Sequence, residues 1–171
     1  RLFEELAAKH GSVKVSGQRI SEHASTSIFA LKHLRIGRKP PEIDGVDTAG
    51  KPLKLSDYQG KVVLLIFWAS WCAPCLAEIP EFIKVREQYH AQGFEILGIS
   101  TDDTPEQLRD FAAKYKTNYP LVQVTAEAEE AFGPVFGLPT SILVGRHGSV
   151  CKRHFGPLSK EQLERQIKPL L

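Results

Sequence analysis

Lys61-Val62-Val63-Leu64-Leu65-Ile66-Phe67-Trp68-Ala69-Ser70-Trp71-Cys72-Ala73-Pro74-Cys75 is the stretch that decides the fold. Val62 to Ala69 is continuously apolar, rich in Val, Leu, Ile and aromatic side chains, and far too short to span a membrane. Such a run predicts a buried central strand of a parallel sheet. From Ala73 the period changes. Leu76, Ile79, Phe82, Ile83 and Val85 recur at helical spacing, while Glu78, Glu81, Lys84 and Arg86 take much of the opposite face. Two cysteines therefore sit where a buried strand turns into an amphipathic helix.

That position has chemical consequences. Near a helix N-terminus, unpaired backbone N–H groups and the positive end of the macrodipole stabilise a thiolate, so the Cys72 pKa is expected below that of a free cysteine. Cys75 lies one turn on, close enough to close a small disulfide ring and shielded enough to remain a thiol until needed. The spacing points to thiol–disulfide redox chemistry. The structural alternatives are half of a zinc site or an inert staple. A zinc site needs a second ligand pair, and of His147, Cys151 and His154, the best available, two would point to opposite faces of a strand. No metal is expected.

Working outward, Phe94 to Ser100 reads as a strand, and Thr104-Pro105-Glu106-Gln107 supplies an N-cap, a proline at the first helical position and a reciprocal capping glutamine. Leu108, Phe111, Ala112 and Tyr115 form the stripe of that helix. A strand around Leu121 to Val124, a brief helix ending at Gly133-Pro134, a strand from Thr140 to Val144, a turn at Arg146-His147-Gly148 and a strand from Val150 to Phe155 follow. Ser159 and Gln162 open a closing helix with Leu163, Ile167 and Leu170 on one face. Pro80 lacks an N–H and is expected to kink the first helix beyond the cysteines. Cys151, the odd cysteine, reads either as a half-buried packing residue or as a free thiol, and the first is favoured because no partner is apparent.

Residues 1–36 are organised differently. Leu2, Phe3, Leu6 and Ala7 form one helical stripe ending at His10-Gly11; a polar stretch follows, then Ile28, Leu31 and Leu34 on a second stripe. Lys39-Pro40-Pro41 marks the junction with residues 37–171.

The run from Lys61 to Cys75, with Glu78 and Pro80 after it, resembles the TlpA/ResA-like branch of the thioredoxin superfamily, a redoxin (AhpC/TSA-like) domain. Gly50-Lys51-Pro52, Leu55-Ser56-Asp57 and Gly60-Lys61 look like the hairpin that leads into that domain, and Gly137-Leu138-Pro139-Thr140 like its cis-proline loop. The resemblance runs from about Gly37 to the C-terminus. It implies an α/β thioredoxin-like fold, a central mixed β-sheet flanked by helices, preceded here by a helical N-terminal extension. The buried Asp that thioredoxins carry six residues before their first cysteine is Ile66 in this chain, so another base must serve the second thiol. Glu78, one turn beyond Cys75 on the same helix face and at a position where the resemblance implies a functional glutamate, is the candidate.

The resemblance also implies a mechanism. Cys72 thiolate attacks a partner disulfide, and Cys75, deprotonated with help from Glu78, resolves the mixed disulfide. Trp71, Pro74, Leu138 and Pro139 are the residues expected to meet the partner, Pro139 by exposing the Leu138 backbone to an extended segment. No cofactor beyond the Cys72–Cys75 disulfide is implied. The expected partners are a disulfide-containing protein substrate and a membrane thiol–disulfide electron donor. The implied location is periplasmic, or membrane-tethered facing the periplasm, with any tether outside this chain.

Two other functions compete. A thiol peroxidase of the redoxin class shares the fold, but the position three before the peroxidatic cysteine, a threonine in peroxiredoxins, is Ala69 here, and the vicinal Cys75 favours dithiol exchange. A noncatalytic thioredoxin-fold binding module would use the disulfide only as a staple. Composition excludes less: 42% hydrophobic and 25% charged residues describe an ordinary globular protein, and a net charge of +2 without a basic, aromatic-interleaved tract argues against a nucleic-acid partner.

Overall fold

A computed structural model describes residues 2–15, 18–100, 102–132 and 137–171. Two helices, α1 (Leu2–His10) and α2 (Ile20–His33), precede the main sheet. Between them, where the sequence shows only a polar stretch, β1 (Lys14–Val15) and β2 (Gln18–Arg19) pair antiparallel. The side chain of Leu31 lies outside the described residues, but Leu34 is buried beneath the main sheet. Past it, Gly37 and Arg38 exchange backbone hydrogen bonds with Val150 at 2.8 Å each.

The main domain follows as β3 (Asp44–Asp47), β4 (Pro52–Lys54), β5 (Val62–Trp68), α3 (Ala73–Tyr89), β6 (Phe94–Ser100), α4 (Pro105–Tyr115) and β7 (Leu121–Val124). It closes with α5 (Ala126–Phe132), β8 (Thr140–Val144), β9 (Val150–Phe155) and α6 (Lys160–Ile167). The stop expected at Gly133-Pro134 lies outside the described residues. One seven-stranded sheet has the order β4-β3-β7-β6-β5-β8-β9. It is mixed, with β5, β6 and β7 parallel and β3, β4, β8 and β9 antiparallel to their neighbours. The β3–β4 hairpin is the leading hairpin that the resemblance implies.

The core obeys the two-residue period of a strand. In β5, Val62, Leu64, Ile66 and Trp68 face one layer with Ile79, Phe82 and Val85 of α3, Phe111 of α4 and Leu163 of α6. Val63, Leu65 and Phe67 face the other, with Ile43, Leu53 and Phe132. Capping signals read from sequence are realised: Thr104 with Gln107, and Ser159 with Gln162, form reciprocal capping boxes. α3 continues as one α-helix through Pro80. Cys151 remains a free thiol, half-buried against the α6 side of the core. No helix among the described residues is long and apolar enough to cross a membrane.

The sheet order also sets the geometry of the site. β5 is central, so the loop at its C-terminal end emerges over the middle of the sheet. Thr140 at the start of β8 pairs with Phe67 near the end of β5, which brings the Leu138–Pro139 peptide to the same end.

Candidate active site

The loop after β5 delivers Cys72 to the start of α3, where it is the N-cap. Its backbone is extended, φ −81° and ψ 95°, and its sulfur accepts from the Cys75 N–H at 3.3 Å. Cys72 and Cys75 are joined in a disulfide with Cα atoms 5.3 Å apart. Cys72 is 3% exposed and Cys75 4%, so burial does not distinguish them. Position does: Cys72 stands outside the helix, facing its unpaired first-turn N–H groups, which favour a thiolate there, while Cys75 lies within the first turn. Pro74 occupies that turn too, where a missing N–H leaves no bond unmade.

The structure corrects the placement of Glu78. Helical periodicity groups it with the charged outer face of Glu81, Lys84 and Arg86, yet it is 5% exposed. The loop between β9 and α6 covers it, and the Leu158 backbone N–H donates to its Oε1. Its Oε2 is buried with no partner among the described residues. Burial pushes its pKa up from 4.5 to about 7, against the opposing pull of the Leu158 N–H. Glu78 in turn adds to the effect of burial on nearby Tyr119, whose hydroxyl is held well above the usual tyrosine range. A carboxyl poised near neutrality one turn from a thiol can take or return a proton.

Trp71 projects outward at 68% exposure, with its indole Nε1 donating to Asp102 Oδ2 at 3.1 Å. Leu138 is half-buried against the cluster that contains both cysteines, and the buried Pro139 follows it through a cis peptide bond. The Pro139 carbonyl accepts from Gly156 N–H at 2.9 Å. The segment from Gly156 to Leu158 thus touches both the proline loop and Glu78.

Sequence reasoning missed Asp103. Its carboxylate is buried and accepts from the Ser70 backbone N–H at 3.0 Å, from the Ser70 hydroxyl and from the Ser100 hydroxyl at 2.7 Å. These bonds hold the loop that carries Trp71 and Cys72 against the end of β6. The signal was present in Ser100 and Asp103, polar residues at the end of a buried strand, but their target lies 33 residues away. Ala69 is fully buried and brings no polar group to the site. Among the described residues no three His, Cys, Asp or Glu side chains gather as a metal site, and His147, Cys151 and His154 form no such group.

A family model described as the AhpC/TSA family matches residues 36–153. The thiol-disulfide oxidoreductase ResA of Bacillus thuringiensis is 33% identical over 138 residues, 80% of this chain and 79% of that protein. Among solved structures, a putative thiol:disulfide interchange protein DsbE from Chlorobium tepidum superposes with a TM-score of 0.73 at 33% identity, covering 80% of this chain and 97% of that one. A secreted thiol-disulfide isomerase from Corynebacterium glutamicum superposes at 0.68 with 26% identity, over 76% of this chain and 83% of that one.

Proposed function

The chain belongs to the AhpC/TSA family and is a thiol-disulfide oxidoreductase with a thioredoxin-like fold, and on that footing we propose that it reduces disulfides of extracytoplasmic proteins through Cys72 and Cys75. Cys72 thiolate attacks the partner disulfide, forming a mixed disulfide and expelling the partner's other sulfur as thiolate. Glu78 takes the proton of Cys75, which attacks Cys72 and releases the reduced partner. Trp71, Pro74, Leu138 and Pro139 form the surface that meets the partner. A membrane thiol donor returns Cys72–Cys75 to the dithiol.

The observation that carries this reading is the buried Glu78 carboxyl with a pKa near 7, one turn beyond the resolving cysteine. An inert staple needs no such group. The peroxidase alternative is disfavoured by the apolar Ala69 and by a vicinal cysteine already bonded to Cys72. The extracytoplasmic assignment draws support from the relative whose name describes it as secreted, and residues 1–36 form an extension outside the catalytic domain.

The test is insulin reduction with dithiothreitol supplied, together with capture of a mixed disulfide by Cys75→Ser. Turnover and a trapped adduct are expected, and a Cys72–Cys75 reduction potential near thioredoxin's, about −270 mV, would mark a reductase. A potential near about −120 mV would reverse the direction. Neither turnover nor adduct would return the domain to a binding module.

A further inference from the structure

Trp68, the last residue of β5, is 4% exposed, and its indole Nε1 has no hydrogen-bond partner among the described residues. Native folds retain few buried donors without an acceptor, and each one asks for an explanation. The indole lines a cavity of about 10 Å³ together with Ile66, Cys75, Gly98, Phe111 and Tyr119. Phe111 fixes it from one side, ring centroids 4.4 Å apart. On another side Gly98 leaves the nitrogen room, because a Cβ there would lie 3.0 Å from Nε1. Within this lining only Cys75 and Tyr119 bring a side-chain acceptor.

We propose that the Trp68 indole N–H is the donor that receives the Cys75 thiolate when the disulfide opens, an inference that rests on the assignment of Cys75 as the resolving thiol. In the disulfide, the Cys75 sulfur is a weak acceptor. When a donor thiolate attacks Cys72 Sγ, a new S–S bond forms at Cys72, the Cys72–Cys75 bond breaks and its electron pair leaves on Cys75. That charge appears against Ile66 and other apolar walls, where an unpaired anion is strongly disfavoured. A charge-assisted N–H···S bond from the indole offsets the cost. In the opposite direction, the Cys75 thiolate attacks Cys72 of a mixed disulfide, and the electron pair leaves on the partner's sulfur, which takes up a proton. Glu78 moves the proton and Trp68 holds the charge.

The two roles have different signatures. The chain contains two tryptophans, so Trp71→Phe leaves a single indole N–H resonance to follow by ¹⁵N NMR. The titratable groups that line the cavity are Cys75 on α3 and Tyr119 ahead of β7, and Glu78 acts electrostatically on Tyr119. After reduction with dithiothreitol, the Trp68 indole proton is expected to move downfield and to titrate with the Cys75 thiol. The titration should persist in Glu78→Gln and vanish in Cys75→Ala. Trp68→Phe, which removes the donor, should slow resolution of a mixed disulfide about tenfold at pH 7, the effect of one charge-assisted hydrogen bond. An indole shift identical in reduced wild type and Cys75→Ala across this pH range, as a water or Tyr119 partner would give, overturns the proposal even if Trp68→Phe fails to fold. Insulin reduction that persists in Cys75→Ala would remove Cys75 from the cycle and overturn the parent reading. Normal two-cysteine turnover with a Cys75-independent indole shift sinks the Trp68 assignment alone.

Discussion

The backbone N–H of Leu158 donates to Oε1 of Glu78, 80 residues earlier in the chain, while Oε2 of the same carboxylate is buried without a partner among the described residues. One N–H holds the carboxylate in place but does not compensate for its lost hydration. The group is therefore positioned and still easily protonated, the combination that a proton exchanger near neutral pH requires.

Kinetics should report this directly. Resolution of a mixed disulfide by Cys75 should accelerate as pH rises and Glu78 ionises with a pKa of about 7. Glu78→Gln should slow that step by about 100-fold at pH 7 and leave only the thiol's own pH dependence. Stopped-flow release of a chromogenic thiol checks it; a pH profile unchanged by Glu78→Gln would exclude Glu78 as the base.

Stability should move the other way. In the unfolded chain Glu78 ionises near 4.5, in the folded protein near 7. Folded and unfolded states bind the proton alike below pH 4.5, so no penalty exists there. As pH rises from 4.5 the unfolded state loses its proton first, and the penalty grows to of order 3 kcal/mol above pH 7. Glu78→Gln should therefore stabilise the oxidised protein at pH 8 and do little at pH 4. Urea unfolding at the two pH values measures the difference.

Asp103 anchors three donors, two of them from Ser70. Asp103→Ala strands those donors and should cost about 2–4 kcal/mol, whereas Ser70→Ala removes one hydroxyl and should cost about 1 kcal/mol. Because the two residues share a bond, the double variant should lose less than the sum of the single ones. Strict additivity in urea unfolding would mean that the bond contributes nothing.

At the far end of the sheet, Arg146 donates to the carbonyls of Gly60, Gln92, Leu170 and Leu171, tying the start of β5 and the end of α3 to the last turn of the chain. Arg146→Ala should lower stability by about 2 kcal/mol, and Arg146→Lys should recover only part of it, since an ammonium cannot span the same fork of acceptors. Insulin-reduction activity at 25 °C should stay within about twofold, because Arg146 follows β8 at the end opposite Pro139. A loss of activity without loss of stability would contradict this.

Much of the architecture was legible in local sequence because its causes are local. The apolar run of β5, the helical stripe after Cys72 and the reciprocal caps at Thr104 and Ser159 each act within a few residues. β1 and β2 were not, since two-residue strands carry no period to read. The cysteine pair was equally plain, and Pro139 was recognisable by resemblance, although no local signal gives the cis isomer found there.

The sequence by itself determined that a buried strand would present two cysteines at the start of a helix, and hence that a disulfide could open and close there. Only the tertiary structure decided the environment of those sulfurs. By periodicity Glu78 reads as a surface glutamate until the loop before α6 closes over it, Asp103 reads as a loop acid until Ser70 is brought to it, and Trp68 reads as one more core aromatic until its unpartnered N–H is buried in a cavity that Cys75 also lines. Secondary structure follows from contacts a few residues apart, whereas burial, and with it proton affinity and the cost of an unpaired donor, is set by whatever distant segment packs on top.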